Sequence, residues 1–144
     1  MTRVTNILDT KGHDVATISQ ERTVRDAVEI LRERGIGALV VTGASPPLVG
    51  ILSERDVVRA LARYGENVLD LKVAALMSTE VTSCNANTSV IDLMGLMTSL
   101  RIRHLPVVDE ASLIGLISIG DVVKARLDEL ELERKNLLDY VSAR

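Results

Sequence analysis

Gly50-Ile51-Leu52-Ser53-Glu54-Arg55-Asp56, followed by Val57-Val58-Arg59-Ala60, occurs a second time as Gly115-Leu116-Ile117-Ser118-Ile119-Gly120-Asp121, followed by Val122-Val123-Lys124-Ala125. Each copy runs glycine, short apolar strand, serine, two variable residues, aspartate, and then the apolar start of a helix. A polar pair held at one spacing, at the same strand-to-helix junction in two copies, points to two related sites made by duplication. A repeat of this kind governs how everything around it is read.

Upstream of the first copy, Thr23-Val24-Arg25-Asp26 opens a helix with Thr23 as its N-cap. Val24, Ala27, Val28 and Leu31 follow at helical spacing and mark one buried stripe. Gly35 and Gly37 end that helix and start a strand, Ala38 to Val41. Gly43-Ala44-Ser45-Pro46-Pro47 is a turn by composition, Leu48 to Leu52 is the return strand, and a helix from about Asp56 to Arg63 closes the repeat. With a leading strand around Val15 to Ile18, the order is βαββα. In the second repeat Val81 takes the place of Val15, Ser89 of Thr23, Val90 of Val24 and Asp92 of Asp26. Ile102 to Val108 replaces the strand after Ile36, and Asp109-Glu110-Ala111-Ser112 replaces the first turn with one residue fewer.

The expected fold class is therefore α/β (α+β), with repeats at 7–66 and 81–127 packed face to face. The connection at 67–80 is tight and poor in Gly, Ser and Pro, and Val68 to Met77 within it reads as a short helix. Residues 128–144 extend the last helix, so that Asp121 to about Val141 is one long element. On it Val123, Leu127, Leu130, Arg134, Leu137 and Val141 alternate spacings of four and three. That resembles a short coiled-coil seam interrupted by Arg134, open to packing on its own domain or on a partner subunit.

Composition excludes several functions. Apolar residues make up 47% of the 144, yet Phe and Trp are absent and Tyr occurs only at positions 64 and 140, so the core is built from Val, Ile, Leu, Ala and Met. Net charge is −3 with the signs interleaved, which offers no footprint for duplex nucleic acid. Aromatic platforms for single strands are missing as well. No apolar run approaches a membrane span, and the N-terminus lacks the apolar segment of a signal peptide. Cys84 is the only cysteine, so no intrachain disulfide forms and a reducing cytoplasm is expected. Cys84 reads as a small buried hydrophobe, without a histidine nearby in sequence to activate it. His13 and His104 are the only histidines and show no metal-ligand spacing, so no metal is expected. No catalytic constellation is evident, and the chain is read as a non-enzyme.

The repeated serine and aspartate have two readings. A helix N-terminus offers unpaired N–H groups and partial positive charge to an anion. A serine there donates to phosphate, a carboxylate one turn later accepts from a ribose 2′,3′ diol, and Arg55 adds a charge-assisted bond to phosphate. Together they suit an adenosine phosphate. Ser-x-x-Asp is also close to a capping box, which needs no ligand. The repeated glycines, Gly50 and Gly115, mark close approach of a ligand or of another backbone.

These motifs, with Arg101-Ile102-Arg103-His104-Leu105-Pro106-Val107-Val108 and Ser118-Ile119-Gly120-Asp121-Val122-Val123, resemble the cystathionine-β-synthase (CBS) domain. CBS domains occur in tandem as the Bateman module, and the likeness runs from about residue 7 to 126. It is strongest to the stand-alone CBS-pair proteins of bacteria and plant organelles. The resemblance implies a βαββα unit per repeat, pseudo-twofold pairing, a disc-shaped homodimer, and a regulatory protein acting on a separate effector. It implies an adenosine nucleotide between the repeats, AMP first, with ATP, ADP, NADH or S-adenosylmethionine as further candidates.

Carried over by position, Asp56 and Asp121 would hold riboses, Ser53 and Ser118 would contact phosphate or ribose, and Arg55 phosphate. Thr17 and Ile18, and Ser83 and Cys84, would meet adenine through backbone groups. Gly37 and Ala38, and Arg103 and His104, would line the same clefts. The copies are unequal: the second loses the arginine of its loop and gains Arg101, Arg103 and His104. Lys11-Gly12, ahead of the first strand, could reach the second cleft. The alternative is a scaffold or dimerisation protein whose Ser-x-x-Asp elements are caps.

Overall fold

The computed structural model describes residues 1–44 and 47–143; Ser45 and Pro46, at the centre of the expected turn, and Arg144 lie outside the described residues. In chain order the elements are α1 (Val4–Lys11), β1 (Thr17–Ser19), α2 (Val24–Arg34), β2 (Ala38–Thr42), β3 (Gly50–Ser53), α3 (Glu54–Tyr64), a 3-10 helix (Gly65–Asp70), α4 (Val73–Leu76), α5 (Val90–Leu100), β4 (His104–Asp109), β5 (Ser112–Ser118) and α6 (Ile119–Ser142). They fall into two compact units. A central unit comprises Asp14–Thr82 with Glu110–Ile114, and a terminal unit comprises Met1–His13, Ser83–Asp109 and Gly115–Arg144.

In the central unit β1 runs parallel to β2, and β2 pairs antiparallel with β3, with Ala38 opposite Ser53 and Val41 opposite Gly50. All but the last residue of β2 is buried, as its unbroken apolar run requires. Ile18, Ala27, Leu31, Leu39, Val41, Leu52 and Val73 form the core of this unit. Helix α2 contributes through the stripe read from its spacing, with Val24, Ala27 and Leu31 buried. Thr23 Oγ1 accepts from Asp26 N at 3.2 Å, so the expected N-cap is made. Gly35 ends the helix in the left-handed region at φ 61°, where a Cβ would be strained.

The connection between the repeats is not one helix. After the 3-10 turn the chain extends at Leu71 and Lys72 before α4 begins. Tertiary pairing overrides local propensity there: Leu71 O accepts from Val24 N at 2.8 Å, and Lys72 bridges Thr23.

The terminal unit repeats the pattern with less regular hydrogen bonding. Cys84 forms a single parallel bridge to Val107 of β4 in place of a full leading strand, and β4 pairs with β5. Ser89 caps α5, accepting from Asp92 N at 3.1 Å. Arg101 closes α5 in the left-handed region at φ 54°, where the first repeat has Gly35. Buried residues include Val90, Leu93, Met97, Leu105, Val107, Ile117 and Val122. Helix α1, for which no element is expected from the repeat pattern, belongs to this unit. Its Val4, Ile7 and Leu8 are buried, and Val4 N donates to Thr88 O at 2.9 Å. Helix α6 is continuous over 24 residues and starts directly after Ser118, two residues before the expected position.

Candidate functional site

Each repeated motif builds the same local object. Strand β3 delivers Ser53 to the N-cap of α3, and β5 delivers Ser118 to the N-cap of α6. Ser53 Oγ accepts from Asp56 N at 3.2 Å, and Asp56 Oδ2 accepts from Ser53 N at 2.9 Å. In the second copy Ser118 Oγ accepts from Asp121 N at 3.2 Å, and Asp121 Oδ2 accepts from Ser118 N at 2.9 Å. Both are complete capping boxes, so the serine and aspartate hold each helix start in place without a ligand. Oδ1 of each aspartate has no hydrogen bond among the described residues, which leaves acceptor capacity on both carboxylates.

The start of the preceding strand is tied to the same junction. Glu54 N donates to Gly37 O at 2.9 Å, and Ile119 N donates to Arg103 O at 2.8 Å. Gly37 is therefore tied by its carbonyl to the start of α3, with Ala38 opposite Ser53, and Arg103 is tied by its carbonyl to the start of α6, with His104 next to it in sequence. Ala38 is buried; Arg103 is exposed and His104 half-buried. Arg55 is half-buried and makes no ion pair among the described residues. Thr17 and Ser83 are exposed, whereas Ile18 and Cys84 point into their cores. Ile18 O accepts from Thr42 Oγ1 at 3.3 Å, and Cys84 O accepts from Val108 N at 2.9 Å. Burial pushes the Cys84 thiol up to about 11, so it is neutral at pH 7 and chemically quiet. Arg101 is exposed, and its backbone N–H caps the end of α5 by donating to Met97 O.

The two junctions differ in what side chain meets the aspartate Oδ2. At the first, Ser53 Oγ donates to Asp56 Oδ2 at 3.0 Å. At the second, Lys11 Nζ sits 2.6 Å from Asp121 Oδ2 and donates to Leu116 O at 2.8 Å. Burial raises the Asp121 carboxyl, but Lys11 and the Ser118 backbone outweigh it and hold it below its ordinary value. Beside this pair lies a cleft of about 210 Å³ whose lining includes Thr2, Asn6, Thr10, Lys124 and Asp128. None of these five was expected from sequence. Asp121, Lys124, Ala125 and Asp128 do recur at helical spacing on α6, and that spacing could have revealed Lys124 and Asp128.

A profile of the CBS domain matches residues 5–63 and 73–128. The chain belongs to the CBS-domain family. This CBS pair is 34% identical to the mitochondrial CBS domain-containing protein CBSX3 of Arabidopsis thaliana, over 97% of the present chain and 72% of that protein. It is 33% identical to the CBS domain-containing protein YhcV of Bacillus subtilis, over 83% of this chain and 84% of that one. Among solved structures, a CBS-domain protein of Agrobacterium tumefaciens superposes with a TM-score of 0.84 at 43% identity, covering 87% of this chain and 93% of that one. The fold is shared, at a TM-score of 0.78 and 22% identity over 90% and 98% of the two chains, with the CBS domain pair of protein MJ0100, solved in complex with 5′-methylthioadenosine and S-adenosyl-L-methionine. Among the described residues of this CBS pair no helix is long and apolar enough to cross a membrane, and no group of His, Cys, Asp and Glu side chains is placed to hold a metal ion.

Proposed function

We propose that this CBS pair is a non-catalytic sensor of adenosine nucleotides, AMP first and ATP, ADP or NADH after it. Occupancy shifts the population of a homodimer between conformations and so alters what it presents to a separate effector protein. The observation that carries the reading is the duplicated aspartate, three residues past a strand end, with Oδ1 unengaged at both copies. A ribose diol is the natural donor pair for such an acceptor, and the helix start beside it favours phosphate. An adenosyl ligand in a protein of the same fold supports the ligand class.

A second reading is favoured by one observation: both capping boxes are fully made, so the motifs have a sufficient structural role. On that reading the protein is a scaffold. Calorimetric titration of AMP, ADP, ATP, NADH and S-adenosylmethionine into wild type, Asp56→Ala and Asp121→Ala separates the two. The sensor gives micromolar binding that each variant diminishes while remaining folded. The scaffold gives no binding by any ligand, and both variants lose about 0.5–2 kcal/mol of stability through the lost cap.

A further inference from the structure

We infer that Lys11 sets the charge preference of the Asp121 site, making it selective for an adenosine bearing a phosphate over one bearing none. The inference rests on the reading of Asp121 as a ribose anchor. Two acceptors hold the Lys11 ammonium, Asp121 Oδ2 at 2.6 Å and Leu116 O at 2.8 Å. An ammonium has three donors, so one remains for a ligand. The side chain is not a loose surface lysine. It stands at the last residue of α1, and α1 is fastened by the bridge of Arg3 to Ser89 and by Leu8 packed on Gly115.

The consequence is electrostatic. The cleft beside the pair is lined by Lys11 and Lys124 against Asp121 and Asp128, a balance of two charges of each sign. Without Lys11 the lining of this cleft carries one net negative charge beside the carboxylate that receives the ribose, and a phosphate on that side loses its nearest cation. A neutral ligand on the same carboxylate is indifferent to that change. The first junction has no counterpart to Lys11: no Asp56 ion pair occurs among the described residues, and the serine hydroxyl satisfies Oδ2 instead. Lys11 is thus a specificity residue of one junction only.

The test uses the full chain carrying Asp56→Ala, so that the second junction alone reports. AMP and 5′-methylthioadenosine, which share adenine and the ribose 2′,3′ diol and differ at the 5′ position, a phosphate against an uncharged methylthio group, are titrated calorimetrically with and without Lys11→Met. The expected result is AMP affinity lowered about tenfold, 5′-methylthioadenosine affinity unchanged or raised, and the AMP preference restored by Lys11→Arg. Equal loss for both ligands, or no change for either, overturns the inference, since a purely structural Lys11 cannot discriminate between them. Asp121→Ala in the same background probes the underlying reading. If it leaves AMP binding intact, Asp121 is no ribose anchor and both fall; if it abolishes both ligands while Lys11→Met leaves their ratio unmoved, only the inference falls.

Discussion

Gly50 and Gly115 show how one residue type can be repeated for a reason other than the first that comes to mind. A Cβ on Gly50 would lie 2.8 Å from Ser78 O and 2.8 Å from Met77 Sδ. A Cβ on Gly115 would lie 2.6 Å from Leu8 Cδ2. The close approach marked by each glycine is made by the chain itself, by backbone in one copy and by a buried leucine in the other. Gly50→Ala and Gly115→Ala are both expected to destabilise by about 1–3 kcal/mol through overpacking. Their rescue differs. In a denaturant double-mutant cycle, Leu8→Ala recovers part of the Gly115→Ala loss, whereas Met77→Ala leaves the Gly50→Ala loss largely in place because Ser78 O cannot retreat. Simple additivity of Leu8→Ala and Gly115→Ala would show that this contact does not decide the role of the glycine.

At the scale of elements, α2, the β2–β3 hairpin, α3 and α6 were legible because local signals agree there: apolar periodicity, Thr and Ser caps, and glycine stops. The caps alone could not separate site from scaffold, since Thr23-x-x-Asp26 and Ser89-x-x-Asp92 also cap helices with the same spacing. Helix α1 carried the signal of Val4, Ile7 and Leu8 at helical spacing, but it is short, and its partners lie more than 80 residues away, as in Thr5 Oγ1 donating to Ala86 O. Lys11 could be suspected of reaching the second junction; that it lands on Asp121 depends on those distant anchors. This link between α1 and α6 makes a pH prediction. A carboxylate depressed in the folded state contributes stability that is present above its unfolded pKa of about 4 and lost as pH falls through the lower folded value. Wild type and Lys11→Met should therefore differ in urea midpoint at neutral pH and converge as the medium is acidified through the depressed value of the Asp121 carboxyl. A gap that persists in acid would assign the role of Lys11 to packing of its methylenes.

At the scale of the whole molecule, α6 carries a run of exposed apolar side chains along its length. Leu127, Leu137 and Val141 are 61%, 64% and 60% exposed, and they belong to the seam read from alternating spacings. We propose this face as the contact of the homodimer. Leu127→Glu with Leu137→Glu is expected to halve the particle mass by light scattering while leaving the melting transition of each unit in place. An unchanged mass would place the dimer contact elsewhere. Sequence could not choose between self-packing and a partner, because exposure depends on where α1 and α5 lie against the first turns of α6.

One arrangement has a bearing on how the protein comes into being. The terminal unit is assembled from segments on either side of the central one in sequence, so that Thr2 N donates to Glu129 Oε2 across 127 positions. The central unit, apart from Glu110–Ile114, is one continuous stretch. On a ribosome adding ~5–20 residues per second, that stretch can condense while the first helix, already made, waits roughly 5–25 seconds for its partners to emerge. During that interval the apolar side of α1 is a nascent-chain liability, and the order of synthesis runs opposite to the order of closure.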